Sequence, residues 1–227
     1  MKYEVALFDL DYTLFDSARS EREALELSFT RFNIEPTPNL LNDYRKINSQ
    51  LWAEHEKNKI SLETLRVKRF EKCLKSIGSN ISALEIADSY SSDLGNCGGL
   101  LPGAQDLLNS LKGKIKLGLV TNGVGITQRK RIRIFELEQY FDSIVISGEF
   151  GSSKPNSPIF EESMRLMGHK SKRNVLMIGD SAASDMAGAQ QFGIDSCWFN
   201  PEKKHLPDGI RVSFTAHSFE DILSIIF

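Results

Sequence analysis

From Pro102 onward, short apolar runs alternate with segments of helical spacing, and this alternation constrains the fold more than any other feature. Repeated succession of strand and helix is typical of parallel strands joined by crossover helices that cover both faces of one sheet. The sequence therefore predicts an α/β fold with a doubly wound, Rossmann-like parallel sheet core. The apolar runs that we interpret as strands are Val5–Phe8, Ile115–Val120, Ile144–Ser147, Val175–Ile178 and Ser196–Phe199.

The stretch from Asp16 to about Gly99 has a different pattern, because its apolar residues recur at helical spacing and no strand pattern interrupts them. Four or five helices are expected there. They are inserted directly after the first strand, so we expect them to form an α-helical cap domain over residues 16–99. Residues 1–15 and 100–227 then make up the α/β core domain.

Two acidic residues follow the first strand, at Asp9 and Asp11. Side chains two positions apart on a strand point to the same side. Close carboxylates repel each other and raise one another's pKa unless a cation or a substrate proton intervenes. A strand that ends in an Asx-turn explains this segment equally well when it is considered alone.

Polar residues also follow the later strands, and these favour a functional site. In an open parallel sheet, ligands bind outside the carboxyl ends of the strands, where the strand order reverses. A hydroxyl, an amide and flexible backbone N–H groups suit a phosphate, and a lysine in a loop of small residues adds a positive charge. The residues concerned are Thr121, Asn122 and Gly123 after one strand, Lys154 after the next, and Asp180 and Asp185 after the Val175–Ile178 run.

These segments occur in a fixed order: Asp9 to Thr13 as DxDxT, then TNG, then a Lys-Pro loop, then GDSxxxD. The ordered set resembles the haloacid dehalogenase-like hydrolases, a superfamily of aspartate-nucleophile phosphatases, from Val5 to about Trp198. The resemblance implies that Asp9 is the nucleophile and that Asp11 protonates the leaving group and then activates water. Dehalogenating members lack an acid at the position of Asp11, so the resemblance implies a phosphate ester substrate.

The resemblance also implies a metal site. Asp9, Asp180 and the backbone carbonyl of Asp11 match the ligands of the family's Mg²⁺, with Mn²⁺ as an alternative ion. Asp185 would support this site through a metal-bound water or by holding the lysine. By the same resemblance, phosphoryl oxygens are held by Thr121, Asn122 and Gly123, and Lys154 balances the charge of the nucleophile and the transition state.

Within the superfamily, several segments look like the noncanonical pyrimidine 5′-nucleotidases, which implies a small phosphate ester, a nucleoside monophosphate, as substrate. A phosphoglycolate or sugar-phosphate phosphatase is the alternative, and a phosphosugar mutase built on the same acids is a further one. A non-catalytic binding protein is disfavoured because every catalytic position is filled. The segments that carry the resemblance are Leu51-Trp52, Ile60–Leu62, Arg69–Glu71, Leu101–Ala104, Val120–Gly123 with Gln128, Tyr140–Asp142 and Cys197–Asn200.

Bulk properties exclude other classes of function. The formal net charge of −2 gives no basic footprint for a nucleic-acid polymer. No apolar stretch approaches the length of a membrane span, and no signal-peptide pattern precedes the first strand, so we expect a cytoplasmic protein without a membrane partner. The three cysteines lack metal-ligand spacing, which disfavours a zinc site. Both a monomer and a homodimer remain compatible with the sequence.

Overall fold

The computed structural model describes residues 2–57 and 59–227 of the chain. Within these ranges, six parallel strands form one sheet in the order β3-β2-β1-β4-β5-β6. The predicted fold class is confirmed, and the sequence prediction missed the short sixth strand. The strands are β1 (Val5–Phe8), β2 (Lys116–Thr121), β3 (Ser143–Ile146), β4 (Val175–Gly179), β5 (Asp195–Phe199) and β6 (Phe214–Ala216).

Ten α-helices accompany these strands in the described ranges, with a 3₁₀ turn at Leu137–Gln139 and a π-helical turn at Ala182–Met186. None of the helices described combines the length and the apolar character that a membrane span needs. The helices are α1 (Ser17–Arg31), α2 (Pro38–Glu56), α3 (Leu62–Ser76), α4 (Ala83–Leu94), α5 (Ala104–Leu111), α6 (Gly125–Ile134), α7 (Ser147–Phe150), α8 (Ser157–Leu166), α9 (Ala187–Phe192) and α10 (Phe219–Ile226).

The strand order reverses at the centre of the sheet, beside β1. The chain runs from β1 to β2 and β3 on one side, then crosses to β4 on the other side. In the register, Phe8 at the end of β1 lies opposite Ile178 in β4 and Leu119 in β2. The residues that follow β1 and β4 therefore emerge side by side at the reversal point, where open α/β sheets bind their ligands.

The described residues cluster into two compact units. The α/β unit consists of the chain up to Asp16, Leu100–Asn122 and Phe135–Phe227. Its strands β1 and β4 are buried along their whole length, as expected for parallel strands covered on both faces. Gly118 in β2 allows the close approach of its neighbours, because a Cβ there would lie 2.7 Å from both Leu7 Cδ2 and Ser163 Oγ.

The helical unit consists of Ser17–Gly99 and Gly123–Ile134. Its buried core is apolar and aromatic, including Tyr44, Phe70 and Tyr90. The unit takes in α6 as well as the segment predicted as the cap, residues 16–99, because α6 bonds to α4: Thr127 Oγ1 donates to the Ser91 carbonyl at 3.0 Å. The assignment of a core domain and a cap domain with the predicted boundaries stays a prediction.

Three helices of the helical unit begin at a hydroxyl residue. Thr37, Ser61 and Ser82 precede α2, α3 and α4, and each side-chain oxygen accepts from the backbone N–H three residues later. Such caps satisfy one of the free N–H groups of the first turn. These residues explain why the helices start where they do.

Candidate active site

The first acidic residue after β1 lies against a buried lysine. Lys154 Nζ is 2.6 Å from Asp9 Oδ1 and 2.7 Å from Asp185 Oδ1, and it donates to the Val120 carbonyl at 2.6 Å. The lysine side chain is 1% exposed, and the Asp9 side chain is 9% exposed. The structure thus brings together three residues that lie far apart in the sequence, at the end of the central strands.

Burial and neighbouring charges determine the electrostatics of this pair. Burial raises the pKa of the Asp9 carboxyl to about 7; the charges of Asp185 and Asp11 add to this rise, and Lys154 opposes it. For Lys154, burial lowers the pKa, but Asp185 and Asp9 outweigh burial and raise the pKa above its ordinary value. The lysine is therefore a fixed positive charge within a group of carboxyls that gains from a further cation.

A third carboxyl belongs to the same group. Carboxylate oxygens of Asp9, Asp180 and Asp185 all lie within 4.8 Å of one another. Burial raises the pKa of Asp180 well above its ordinary value, and the charge of Asp9 adds to the effect. In the part of the chain that the structure describes, Asp9, Asp180 and Asp185 lie around the ammonium group of Lys154, so ionisation of all three leaves an excess of negative charge. Hard oxygen donors with such an excess fit Mg²⁺.

Asp185 is placed to hold the lysine and the loop after β4. Its Oδ1 atom pairs with Lys154, and its Oδ2 atom accepts from the backbone N–H of Ser181 at 3.0 Å. The carboxyl group packs directly on Gly179, where an added Cβ would overlap it. The sequence prediction gave Asp185 a supporting role through the lysine or a bound water, and the ion pair is compatible with the first of these.

The predicted phosphate-binding residues begin at the end of β2. Thr121 is the buried last residue of β2, and Asn122 follows it. The Asn122 amide makes two hydrogen bonds with the backbone of Lys154: Nδ2 donates to the Lys154 carbonyl, and Oδ1 accepts from the Lys154 N–H, both at 2.9 Å. Gly123 belongs to the helical unit, where a Cβ would come within 3.0 Å of Gln128 Nε2.

Sequence reasoning did not assign roles to several side chains that contact these residues. It considered the backbone of Asn122 for phosphate but missed the side-chain bonds to Lys154. Thr13 and Trp198 belong to motifs that assign them no role, yet the side chains of both bond to the backbone of Asp180. The DxDxT motif itself was a signal for Thr13, whereas the indole contact depends on strand pairing that a single sequence does not reveal.

Comparison with known proteins identifies the family of the chain. Residues 6–199 match the haloacid dehalogenase-like hydrolase family. The chain belongs to this family. It is 31% identical to the pyrimidine 5′-nucleotidase YjjG of Escherichia coli, over 100% of this chain and 99% of the relative. It is also 31% identical to the pyrimidine 5′-nucleotidase PynA of Streptococcus pneumoniae, over 100% of this chain and 96% of the relative.

The solved structures give the same result. YfnB of Bacillus subtilis, named as a HAD-hydrolase and solved with magnesium bound, superposes with a TM-score of 0.94 at 32% identity, covering 100% of this chain and 99% of that one. The predicted family is confirmed, and the relatives support the predicted enzyme class, a phosphoric monoester hydrolase. The magnesium in YfnB and the acidic cluster of this chain are both compatible with the predicted cofactor.

Proposed function

We propose that this chain is a Mg²⁺-dependent phosphomonoesterase that acts through an aspartyl-phosphate intermediate on (deoxy)pyrimidine and noncanonical nucleoside monophosphates. The observation that carries the proposal is the 2.6 Å contact between Lys154 Nζ and Asp9 Oδ1 beside the reversal point of the sheet. A buried carboxylate paired with a fixed ammonium group is held in one orientation, which is what an attacking group requires.

In the first half of the reaction, a carboxylate oxygen of Asp9 attacks phosphorus as the bond to the leaving oxygen breaks. Asp11 gives its proton to that oxygen, so the alcohol leaves uncharged. Lys154 balances negative charge on the nucleophile and on the phosphoryl group in the transition state. Thr121, with the backbone of the two residues that follow it, donates hydrogen bonds to the phosphoryl oxygens.

In the second half, water attacks the aspartyl-phosphate. Asp11, now ionised, takes a proton from this water, and the Asp9 carboxylate is released together with inorganic phosphate. The same side chain thus serves as acid and then as base, and the cycle returns both carboxyls to their first protonation state. Asn122 contributes indirectly, because its amide bonds to both backbone groups of Lys154.

Mg²⁺ would be held by Asp9, Asp180 and the backbone carbonyl of Asp11. When bound, the ion supplies positive charge that offsets repulsion between carboxylate and phosphoryl oxygens. The proximity of the Asp9 and Asp180 oxygens and the excess of acids over ammonium groups support this assignment. Mn²⁺, which also prefers oxygen ligands, is the alternative ion.

The substrate class rests on similarity over the full chain to two pyrimidine 5′-nucleotidases. The phosphate site alone does not choose among phosphate esters. A phosphoglycolate or sugar-phosphate phosphatase uses the same groups and shows little preference for the base of a nucleotide. A phosphosugar mutase also uses them, but needs a bisphosphate activator. We expect a monomer or a homodimer that binds no membrane and no nucleic-acid polymer.

The proposal is tested by phosphate release with Mg²⁺ from dUMP, dTMP, UMP, AMP, phosphoglycolate and glucose phosphates. We expect the pyrimidine nucleotides to give the highest kcat/KM and Asp9→Asn to abolish release. Asp106→Asn, the same change at an exposed position on α5, is the matched control and retains full activity. The intermediate is tested by borohydride, which reduces an acyl phosphate at residue 9 to homoserine and is detected by peptide mass spectrometry.

Each part of the proposal can fail separately. Preference for sugar phosphates or phosphoglycolate would remove the nucleotidase assignment and keep the mechanism. Turnover that requires a sugar bisphosphate would point to the mutase. Full activity of Asp9→Asn, with no homoserine at residue 9, would contradict the proposed aspartyl-phosphate intermediate.

A further inference from the structure

The peptide groups on both sides of the Asp180 α-carbon are held by one side chain from the turn after β1 and one from β5. The Asp180 N–H donates to Thr13 Oγ1 at 3.1 Å, and the Asp180 carbonyl accepts from Trp198 Nε1 at 2.8 Å. Thr13 is fully buried, and Trp198 is 5% exposed. Trp198 lies in β5, directly opposite Gly179, the last residue of β4. No role for this tryptophan follows from the family motifs in the sequence.

These two hydrogen bonds constrain the backbone just beyond the end of β4. Asp180 is the first residue beyond β4, so the pairing that fixes the strand no longer constrains it. Buried backbone N–H and C=O groups need a partner, and a buried indole N–H needs an acceptor. The hydroxyl and the indole satisfy all three requirements together. Their joint effect is to fix the backbone that carries the Asp180 carboxylate.

The residues on either side of Asp180 are fixed as well. Gly179 is packed against the Asp185 carboxyl, and the N–H of Ser181 donates to the same carboxyl at 3.0 Å. Asp180 therefore has little freedom to move its α-carbon without breaking one of these contacts. Mg²⁺ demands near-ideal octahedral ligand geometry, so a small displacement of a ligand carboxylate weakens binding.

We propose that Trp198 is a positioning residue for the metal site: its indole N–H, acting with the Thr13 hydroxyl, fixes the backbone of Asp180 and so sets the affinity for the divalent ion. This inference rests on the proposed function, in which Asp180 is a metal ligand. The alternative is that Trp198 only fills space at the end of β5. A Phe side chain separates the two, because it keeps an aromatic ring and removes the N–H donor.

The test is direct binding of Mn²⁺ without substrate, measured from the electron paramagnetic resonance signal of the free ion. We expect Trp198→Phe to raise the dissociation constant roughly tenfold or more, the usual effect of removing a group that supports a metal ligand. Trp52→Phe is the matched control, because the chain has two tryptophans and Trp52 lies in α2 with its ring against His55. It should bind Mn²⁺ as the unmodified protein does.

A second pair of variants, at Thr13, tests the other hydrogen bond to the Asp180 backbone. Thr13→Val removes the acceptor for the Asp180 N–H and should weaken Mn²⁺ binding, whereas Thr13→Ser keeps a hydroxyl and should retain most of the affinity. Activity adds a further readout: saturating metal should restore much of the kcat of Trp198→Phe, but not that of Asp180→Asn. If Trp198→Phe fails to fold, as judged by circular dichroism, the Thr13 pair decides the question.

The outcomes separate this inference from the proposed function. A folded Trp198→Phe protein that binds Mn²⁺ as tightly as the unmodified chain would overturn the role of the indole, provided that Asp180→Asn binds poorly. Equal binding of Mn²⁺ by the unmodified chain and by Asp180→Asn would show that Asp180 is not a metal ligand. The role proposed for Trp198 would then be wrong as well.

Discussion

Lys154 in the α/β unit and Arg69 in the helical unit are both almost wholly buried, with 1% and 4% of their surface exposed. Lys154 lies between two carboxylates. Arg69 makes no ion pair with any residue in the described ranges, 2–57 and 59–227. Its guanidinium carbon lies 4.7 Å from the centre of the Tyr90 ring and 5.5 Å from that of Phe70.

The polar partners of the two cations differ in the same way. Arg69 Nη1 donates to Asn48 Oδ1 at 3.2 Å, and Nε donates to the Arg66 carbonyl at 3.3 Å, so its partners are neutral oxygens and ring faces. A planar guanidinium group can stack on aromatic rings, while a compact ammonium group acts as a point charge. In the α/β unit the groups that offset the buried charge are carboxylates of the candidate active site, and in the helical unit they are packing elements of α2, α3 and α4.

The largest expected effect follows from removing the lysine. Lys154→Met takes the fixed charge away from Asp9, so the proposed nucleophile loses its orientation and the transition state loses an electrostatic partner. We expect kcat/KM per folded molecule to fall roughly 10²–10³-fold, as when one such stabilising donor is removed from an active site. Steady-state phosphate release measures it. Lys170→Met, at an exposed lysine of the same unit, should change nothing; comparable rates for both variants would contradict the assignment.

Removing the arginine should affect stability instead of chemistry. Arg69→Met loses the ring contacts and leaves Asn48 Oδ1 without its donor, for which we expect a loss of about 2 kcal/mol in the free energy of unfolding. Denaturant unfolding measures it. Arg66→Met is the matched control one turn earlier. Its guanidinium pairs with the exposed carboxylates of Glu63 and Asp88, and its loss should cost at most about 1 kcal/mol.

Two outcomes would contradict the structural role given to Arg69. An Arg66→Met loss as large as that of Arg69→Met would show that the aromatic surroundings contribute nothing special. A fall in activity per folded molecule of Arg69→Met as deep as that of Lys154→Met would show that both buried cations serve the reaction.

Much of the fold was predictable because each signal was local. Apolar runs identified five of the six strands, and apolar spacing located α1 to α4 between Asp16 and Gly99. The location of the candidate site was also predictable, since parallel strands bring their carboxyl ends to one edge of the sheet. Asp9, Lys154 and Asp180 do meet there, although their roles stay predictions.

What the sequence did not reveal depends on contacts between distant residues. The strand β6 has three residues and no clear apolar pattern, and it is identified by its pairing with β5. The bonds from Asn122 to Lys154 and from Trp198 to Asp180 require the folded sheet. Arg69 was detectable in principle, because it lies four residues from two buried residues of the same helix, Leu65 and Cys73, and so falls on the buried face.

The smallest expected effect concerns buried tyrosine hydroxyls, which again differ between the units. Tyr3 in the α/β unit donates to Asp195 Oδ2 at 2.6 Å, whereas the hydroxyls of Tyr44 and Tyr90 in the helical unit interact with each other and make no well-formed hydrogen bond among the described residues. Losing a bond to a charged acceptor should make Tyr3→Phe less stable by about 1.5 kcal/mol.

A buried hydroxyl without a well-formed hydrogen bond carries a desolvation cost with little compensation, so its removal has the opposite sign. Tyr90→Phe should therefore leave the free energy of unfolding unchanged or raise it by up to about 1 kcal/mol. Both substitutions remove one oxygen from a buried ring, which makes them matched, and urea unfolding measures the two under the same conditions. A clear loss of stability in Tyr90→Phe would mean that its hydroxyl is satisfied in solution by water or by a bound molecule, and the helical unit would then resemble the α/β unit in pairing its buried polar groups.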